Sequence, residues 1–200
     1  MRHCLAAFSA AMALAASAVA GPASAAEQRL SGDELRDLVR RELLWCDDYD
    51  ARTNDCDVVS LLRFQPDGSV SEASTLLLQE APRLVVYIAD IDRIVGDSLC
   101  GKIEARRTRF SFTIDGQAMT DEASDALEMV FRSQMADLEG KTVCQSFFRG
   151  EDPNVVREEI TVDGQRRTDL ESTYHLREGD SGLNLRPRLA PDEDTNRTVL

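Results

Sequence analysis

Ile160-Thr161-Val162-Asp163-Gly164-Gln165 is the stretch on which the reading of the fold turns. β-branched residues lead into Asp-Gly, the dipeptide that most readily takes the positive φ angles of a two-residue hairpin turn. The same arrangement stands at Phe112-Thr113-Ile114-Asp115-Gly116-Gln117. The agreement continues downstream, where Thr120, Asp121 and Ser124 match Thr168, Asp169 and Ser172. Asp67-Gly68 is a weaker third copy, and the three dipeptides lie 48 residues apart. Cys56, Cys100 and Cys144 precede the three turns in order. One reading is a duplicated strand–loop–strand unit whose cysteines staple equivalent strands. The other is that the commonest hairpin signal recurs by chemistry alone. Both predict antiparallel hairpins rather than a parallel sheet built of βαβ units.

Outward from these turns, strand-like segments are expected at 58–64, 69–78, 84–89, 99–103, 109–114, 142–148, 155–162 and 165–176. Two helices interrupt them. Ser31-Gly32-Asp33-Glu34 has the form of a capping box, with Leu30 and Leu35 placed as a hydrophobic staple. Leu35, Leu38, Val39 and Leu43 continue a helical stripe, with an end expected near Trp45-Cys46. The second helix is expected over 121–138, with Thr120 as N-cap and Gly140 just beyond its end. Its buried face would be Ala123, Ala126, Leu127, Val130, Phe131 and Leu138. The expected class is α+β: an antiparallel, hairpin-rich sheet of about six to eight strands, with an N-terminal helix and a longer mid-chain helix packed on it.

The chain opens like a secretory leader. Met1-Arg2-His3 is positive, an Ala-rich apolar run follows to Ala20, and small residues close it at Ala23-Ser24-Ala25-Ala26. The apolar run is too short and too weakly hydrophobic for a membrane span. The sequence therefore predicts a signal peptide over 1–26, one disulfide-stapled domain over 27–177 and a loosely ordered polar tail over 178–200. Without the leader the chain keeps 174 of its 200 residues, long enough for a sizeable core. A periplasmic or secreted location follows, with no transmembrane segment in the mature chain.

Charge narrows the partners. The formal net charge is −13, and loss of the one basic residue in the leader makes it −14. A nucleic-acid binder must displace counterions from phosphates with a basic surface, so this balance argues against one. An anionic membrane surface is disfavoured for the same reason. Cys46, Cys56, Cys100 and Cys144 remain after the leader, an even set that in an exported chain reads as two disulfides. The favoured pairing is Cys46–Cys56 and Cys100–Cys144; the C-x-x-C knuckles of a four-thiolate zinc site are missing.

Candidate chemistry is sparse. The mature chain has one histidine, His175, and lacks the G-x-S-x-G and H-E-x-x-H signatures. No catalytic residue is assigned. Asp48, Asp50, Asp55 and Asp57 offer hard oxygen donors in the loop between Cys46 and Cys56, which would suit Ca²⁺, although the EF-hand pattern fails. The alternative for that loop is a solvated acidic surface. Arg106, Arg107, Arg109, Arg166 and Arg167 form two basic clusters that either receive an anion or pair with Glu104, Glu158 and Glu159 across strands. The expected function is a non-enzymatic binding protein for an envelope protein or small ligand. The alternative is a periplasmic hydrolase working through a carboxylate pair or His175.

Overall fold

The computed structural model describes residues 27–104, 107–179 and 181–187. The expected leader, and the expected tail beyond residue 187, lie outside them. The chain opens with β1 (Gln28–Arg29), α1 (Gly32–Arg40), β2 (Leu44–Asp47), β3 (Asp55–Cys56), β4 (Val58–Phe64), β5 (Val70–Gln79), β6 (Leu84–Val95) and β7 (Ser98–Lys102). Then come β8 (Arg109–Ile114), β9 (Gln117–Ala118), α2 (Asp121–Gln134), β10 (Thr142–Arg149) and β11 (Val155–Val162). It finishes with β12 (Gln165–Arg166), a 3₁₀ turn (Thr168–Leu170), β13 (Thr173–Arg177) and β14 (Asn184–Leu185).

The sheet is antiparallel and closes on itself. Pairing runs β10–β11–β13–β2–β4–β5–β6–β7 and returns to β10, an eight-stranded barrel within a sheet of 12 strands. The expectation of a six-to-eight-stranded sheet therefore needs correcting. The strand-like pattern of hairpins was present, with β8 at its expected bounds, but closure and the short strands β1, β2 and β9 were not, and the expected strand 165–176 is broken by the 3₁₀ turn into β12 and β13. Closing the sheet removes the unpaired edges that an open one would expose.

Two elements depart from the expected boundaries. The helix expected to reach Trp45 stops at Arg40, with Glu42 at φ 49°. Leu44–Asp47 is then a strand between β4 and β13, with Trp45 and Cys46 buried. A helical stripe and a short strand look alike over four apolar residues, and the pairing partners decide between them. The second helix is shorter than expected, and Val130 and Met129 stay exposed while Leu127 and Phe131 make its inward contact.

The two helices mark two cores. Leu35, Leu38 and Val39 of α1 pack with Trp45, Leu62, Val70, Leu99, Phe147, Val156 and Leu176 at one end of the barrel. Ser31 accepts a hydrogen bond from the Glu34 amide while Glu34 accepts from the Ser31 amide, so the capping box is formed. Leu127 and Phe131 of α2 lie against Leu76, Leu78, Val86 and Phe112 on the same inward face further along β5, β6 and β8. Phe131 meets Phe110 and Phe112 at centroid distances of 5.7 and 5.9 Å.

Asp115-Gly116 and Asp163-Gly164 adopt the same turn, with φ 50° and 78° in one and 49° and 79° in the other. Each aspartate carboxylate also accepts an amide from the start of the partner strand, Asp115 from Arg83 and Asp163 from Thr142, at 2.8 and 2.9 Å. The resemblance stops at the cysteines. Cys144 lies on the partner strand of its turn, whereas Cys100 lies on β7, a strand without a counterpart in the other copy. The disulfides Cys46–Cys56 and Cys100–Cys144 have Cα separations of 5.5 and 4.1 Å.

Candidate functional site: an acidic belt and an external groove

Along each barrel strand the inward residues alternate with outward ones. On β6 the inward set is Leu84, Val86, Ile88, then Asp90 and Asp92, then Ile94. On β5 it is Val70, then Glu72 and Ser74, then Leu76 and Leu78; on β4 it is Val58, Ser60 and Leu62. Ser60 stands opposite Ser74 and Glu72 opposite Asp90, while Ser74 also faces Ile88 and Asp92 faces Val70, so a staggered belt of acids and hydroxyls separates the two apolar cores. Gln145, Glu158 and Tyr174 complete it from β10, β11 and β13.

Glu158 is 1 % exposed and flanked on β11 by the buried Val156 and Ile160. Tyr174 donates to its Oε2 at 3.3 Å, while Oε1 has no hydrogen-bond partner. Burial, reinforced by the neighbouring charge of Glu72, pushes the Glu158 carboxyl up to about 8. Burial also raises Glu72, against hydrogen bonds from Ser74, Gln145 and Ser60 that favour its ionised form. Ser60 and Ser74 are themselves joined at 2.7 Å. The void these side chains leave is about 10 Å³, room for about one water molecule. The barrel is filled.

The belt reaches the surface where β6 forks. β6 pairs with β8 through Leu84–Ala89 and with β7 through Arg93–Val95, so Asp90 and Asp92 lie where the two partners diverge. Thr108 donates to Asp90 at 2.8 Å. Asp92 occupies the space of a missing side chain on β7: a methyl at Gly101 would stand 1.6 Å from its Oδ1. Burial, with repulsion from Glu72 and Asp90, pushes the Asp92 carboxyl up to about 7, and Arg107 opposes the shift. Asp92 also lines an open groove of about 660 Å³ on the outside of the barrel. Ile91, Val95, Arg93, Lys102, Arg107 and Cys100 share that groove, with the turn residues Gln65, Pro66 and Asp67 opposite.

The residues singled out from the sequence fall elsewhere. Asp48, Asp55 and Asp57 converge on the guanidinium of Arg186 at 2.8, 3.5 and 2.7 Å, and Asp50 pairs with Arg52 at 2.9 Å. The cation at the centre of that loop is an arginine side chain. Among the described residues no group of three or more His, Cys, Asp or Glu is arranged to hold a metal ion. His175 sits on β13 with its ring 5.0 Å from that of Tyr49 and is not part of the groove. Arg166 pairs with Glu171 and Glu159, and Arg167 with Asp169 and Asp137. Glu158, grouped in the sequence with Glu159 as a partner for arginines, instead points into the barrel. Arg106 lies outside the described residues.

Sequence reasoning missed the belt. Its signal was present in the alternation of 155–162 and of 84–95, where an acid interrupts an apolar face. The chain matches no protein-family model, no curated protein and no solved structure.

Proposed function

We propose that this chain is a non-enzymatic, exported binding protein that engages a protein partner or small ligand through the groove on the outer wall of its barrel. The observation that carries the reading is the contrast between a filled interior and that open groove. An eight-stranded barrel either packs its own side chains inside or holds one small ligand, and here about 10 Å³ remains. The groove sets Ile91 and Val95, 42 % and 60 % exposed, beside Arg93, Lys102 and Arg107. An apolar floor with a few convergent charges suits a binding site. Two disulfides, and no helix among the described residues long and apolar enough to cross a membrane, are compatible with export. The test is a thermal-shift screen of metabolites and peptides, followed by amide chemical-shift mapping of hits. Perturbations centred on Ile91, Val95, Gly101 and Thr142 support the reading; hits mapping to the Cys46–Cys56 loop would overturn it. Export is tested by N-terminal mass spectrometry of the extracytoplasmic fraction, with Glu27 expected first.

One observation favours the second reading, a hydrolase using a carboxylate pair. Asp92 faces the groove beside Asp90 with its carboxyl near 7, a range suited to general acid–base work. Hydrolysis of an ester, peptide or glycoside panel by the parent, lost in Asp92→Asn, would establish it.

A further inference from the structure

The two disulfides occupy opposite environments. Cys46 and Cys56 are both 0 % exposed, and backbone from 184–187 lies over their loop: the Asn184 amide donates to Asn54 and the Arg186 amide to Cys56. Cys100 and Cys144 are only partly buried, and Cys100 forms part of the groove wall. Their neighbours on β7 and β10, Leu99 and Gly101 on one strand and Gln145 and Phe147 on the other, face the barrel interior, so this disulfide lies on the outside.

Its place in the topology is also particular. Cys100 and Cys144 are direct partners in the β7–β10 ladder, which runs only from Lys102↔Thr142 to Leu99↔Gln145. That ladder is the pairing that turns the sheet into a barrel. On the far side of β7 lies the fork of β6, where Asp92 fills the space left by Gly101. Beyond the ladder, the Ser98 and Ser146 hydroxyls meet at 3.0 Å, both bonded by Arg29, at one end, and Ile103 exchanges backbone hydrogen bonds with Lys141 and Gly140 at the other.

We propose that the Cys100–Cys144 disulfide is a thiol–disulfide exchange site, a redox latch on the barrel seam opened by a dithiol reductant while the Cys46–Cys56 disulfide stays closed. A thiolate of the reductant attacks Cys100 Sγ from the groove, forming a mixed disulfide and releasing the Cys144 thiolate, which takes up a proton. The second thiol of the reductant then displaces the Cys100 thiolate, which is protonated in turn. The reductant leaves as its own disulfide, and the protein has gained two electrons and two protons. Accessible disulfides are the labile, regulatory ones, whereas buried ones resist attack. With the latch open, β7 is held to β10 by a short ladder and the hydrogen bonds at its two ends, and water gains access through the seam to Glu72. This inference is independent of what the groove binds.

The experiment is a time course of dithiothreitol reduction of the folded, oxidised protein, quenched by alkylation and read by peptide mass mapping. Trp45 fluorescence reports the core, and hydrogen exchange reports the seam. Cys100 and Cys144 should be alkylated at least ten-fold faster than Cys46 and Cys56, with Trp45 still buried. Faster exchange should be confined to 98–102 and 142–146. The double variant Cys100→Ser/Cys144→Ser should fold and show the same exchange pattern without reductant. Alkylation of all four cysteines at one rate, labelling of Cys46 and Cys56 first, reduction without faster seam exchange, or a double variant that does not fold would each overturn the latch.

Discussion

A carboxyl group removed from water prefers to keep its proton, and Glu158 shows this preference inside the barrel. Its Oε1 lacks a partner, its Oε2 accepts only from Tyr174, and the charge of Glu72 lies nearby. Glu158→Gln keeps the shape and removes the charge. At pH 8 it is expected to stabilise the fold by ~1–3 kcal/mol, and at pH 5, where the acid is already neutral, to change little. Urea unfolding at the two pH values checks this. Gly101→Ala acts on the neighbouring acid. The added methyl displaces the Asp92 carboxyl toward the groove, at a cost of ~1–3 kcal/mol for overpacking. Carboxyl-carbon NMR titration should then show Asp92 returning from about 7 toward the ordinary aspartate range.

At the scale of elements, α1 is held by its first turn. Ser31→Ala removes the cap and is expected to cost ~1 kcal/mol. Gly32→Ala should cost more, because its new methyl would lie 2.2 Å from the Gly96 carbonyl oxygen in the turn between β6 and β7. That turn also receives the Gly32 amide on Asp97 at 2.8 Å. Denaturant midpoints of the two variants give the order directly. At the other end of the chain, 181–187 is docked by Arg186 and by the pairing of β14 with β3. Arg186→Ala removes the charge shared by Asp48, Asp55 and Asp57. Faster amide exchange at Asn184 and Arg186 is expected, together with a larger rise in melting temperature on adding Ca²⁺ than the parent shows.

For the whole molecule the belt predicts an inverted pH profile. In the folded state Glu158 and Asp92 titrate near 8 and 7, while in the unfolded chain such groups titrate near ~4. Between those limits the folded protein holds more protons than the unfolded one, so stability falls as pH rises from about 4 to about 8. Asp50 and Asp169 behave oppositely. Hydrogen bonds from Arg52 and Arg167 hold both near 2, and their contribution is lost only as pH falls below about 4. Melting temperature should therefore peak on the acid side of neutrality and decline toward pH 8, with a shallower slope in Glu158→Gln. A flat profile from pH 5 to 8 would show that the belt is hydrated.

What the sequence determined by itself is local. Asp115-Gly116 and Asp163-Gly164 specify their turns because few other dipeptides tolerate two consecutive positive φ angles. Ser31 and Glu34 mark the start of α1 because their side chains reach only neighbouring amides. Alternation marked the strands, and an even set of cysteines implied two disulfides. Tertiary structure alone decided the rest. The pairings that close the barrel join segments far apart in the chain: the favoured Cys100–Cys144 disulfide already tied β7 to β10, but no local signal encodes β2 beside β13. The same closure turned Leu44–Asp47 from the tail of a helix into a strand. Alternation shows that Glu72, Asp92 and Glu158 share a face with apolar residues, but whether that face meets water depends on which strands surround it. Arg186, in a stretch without apolar period, owes its place at the acidic loop to where the chain returns after the barrel is built.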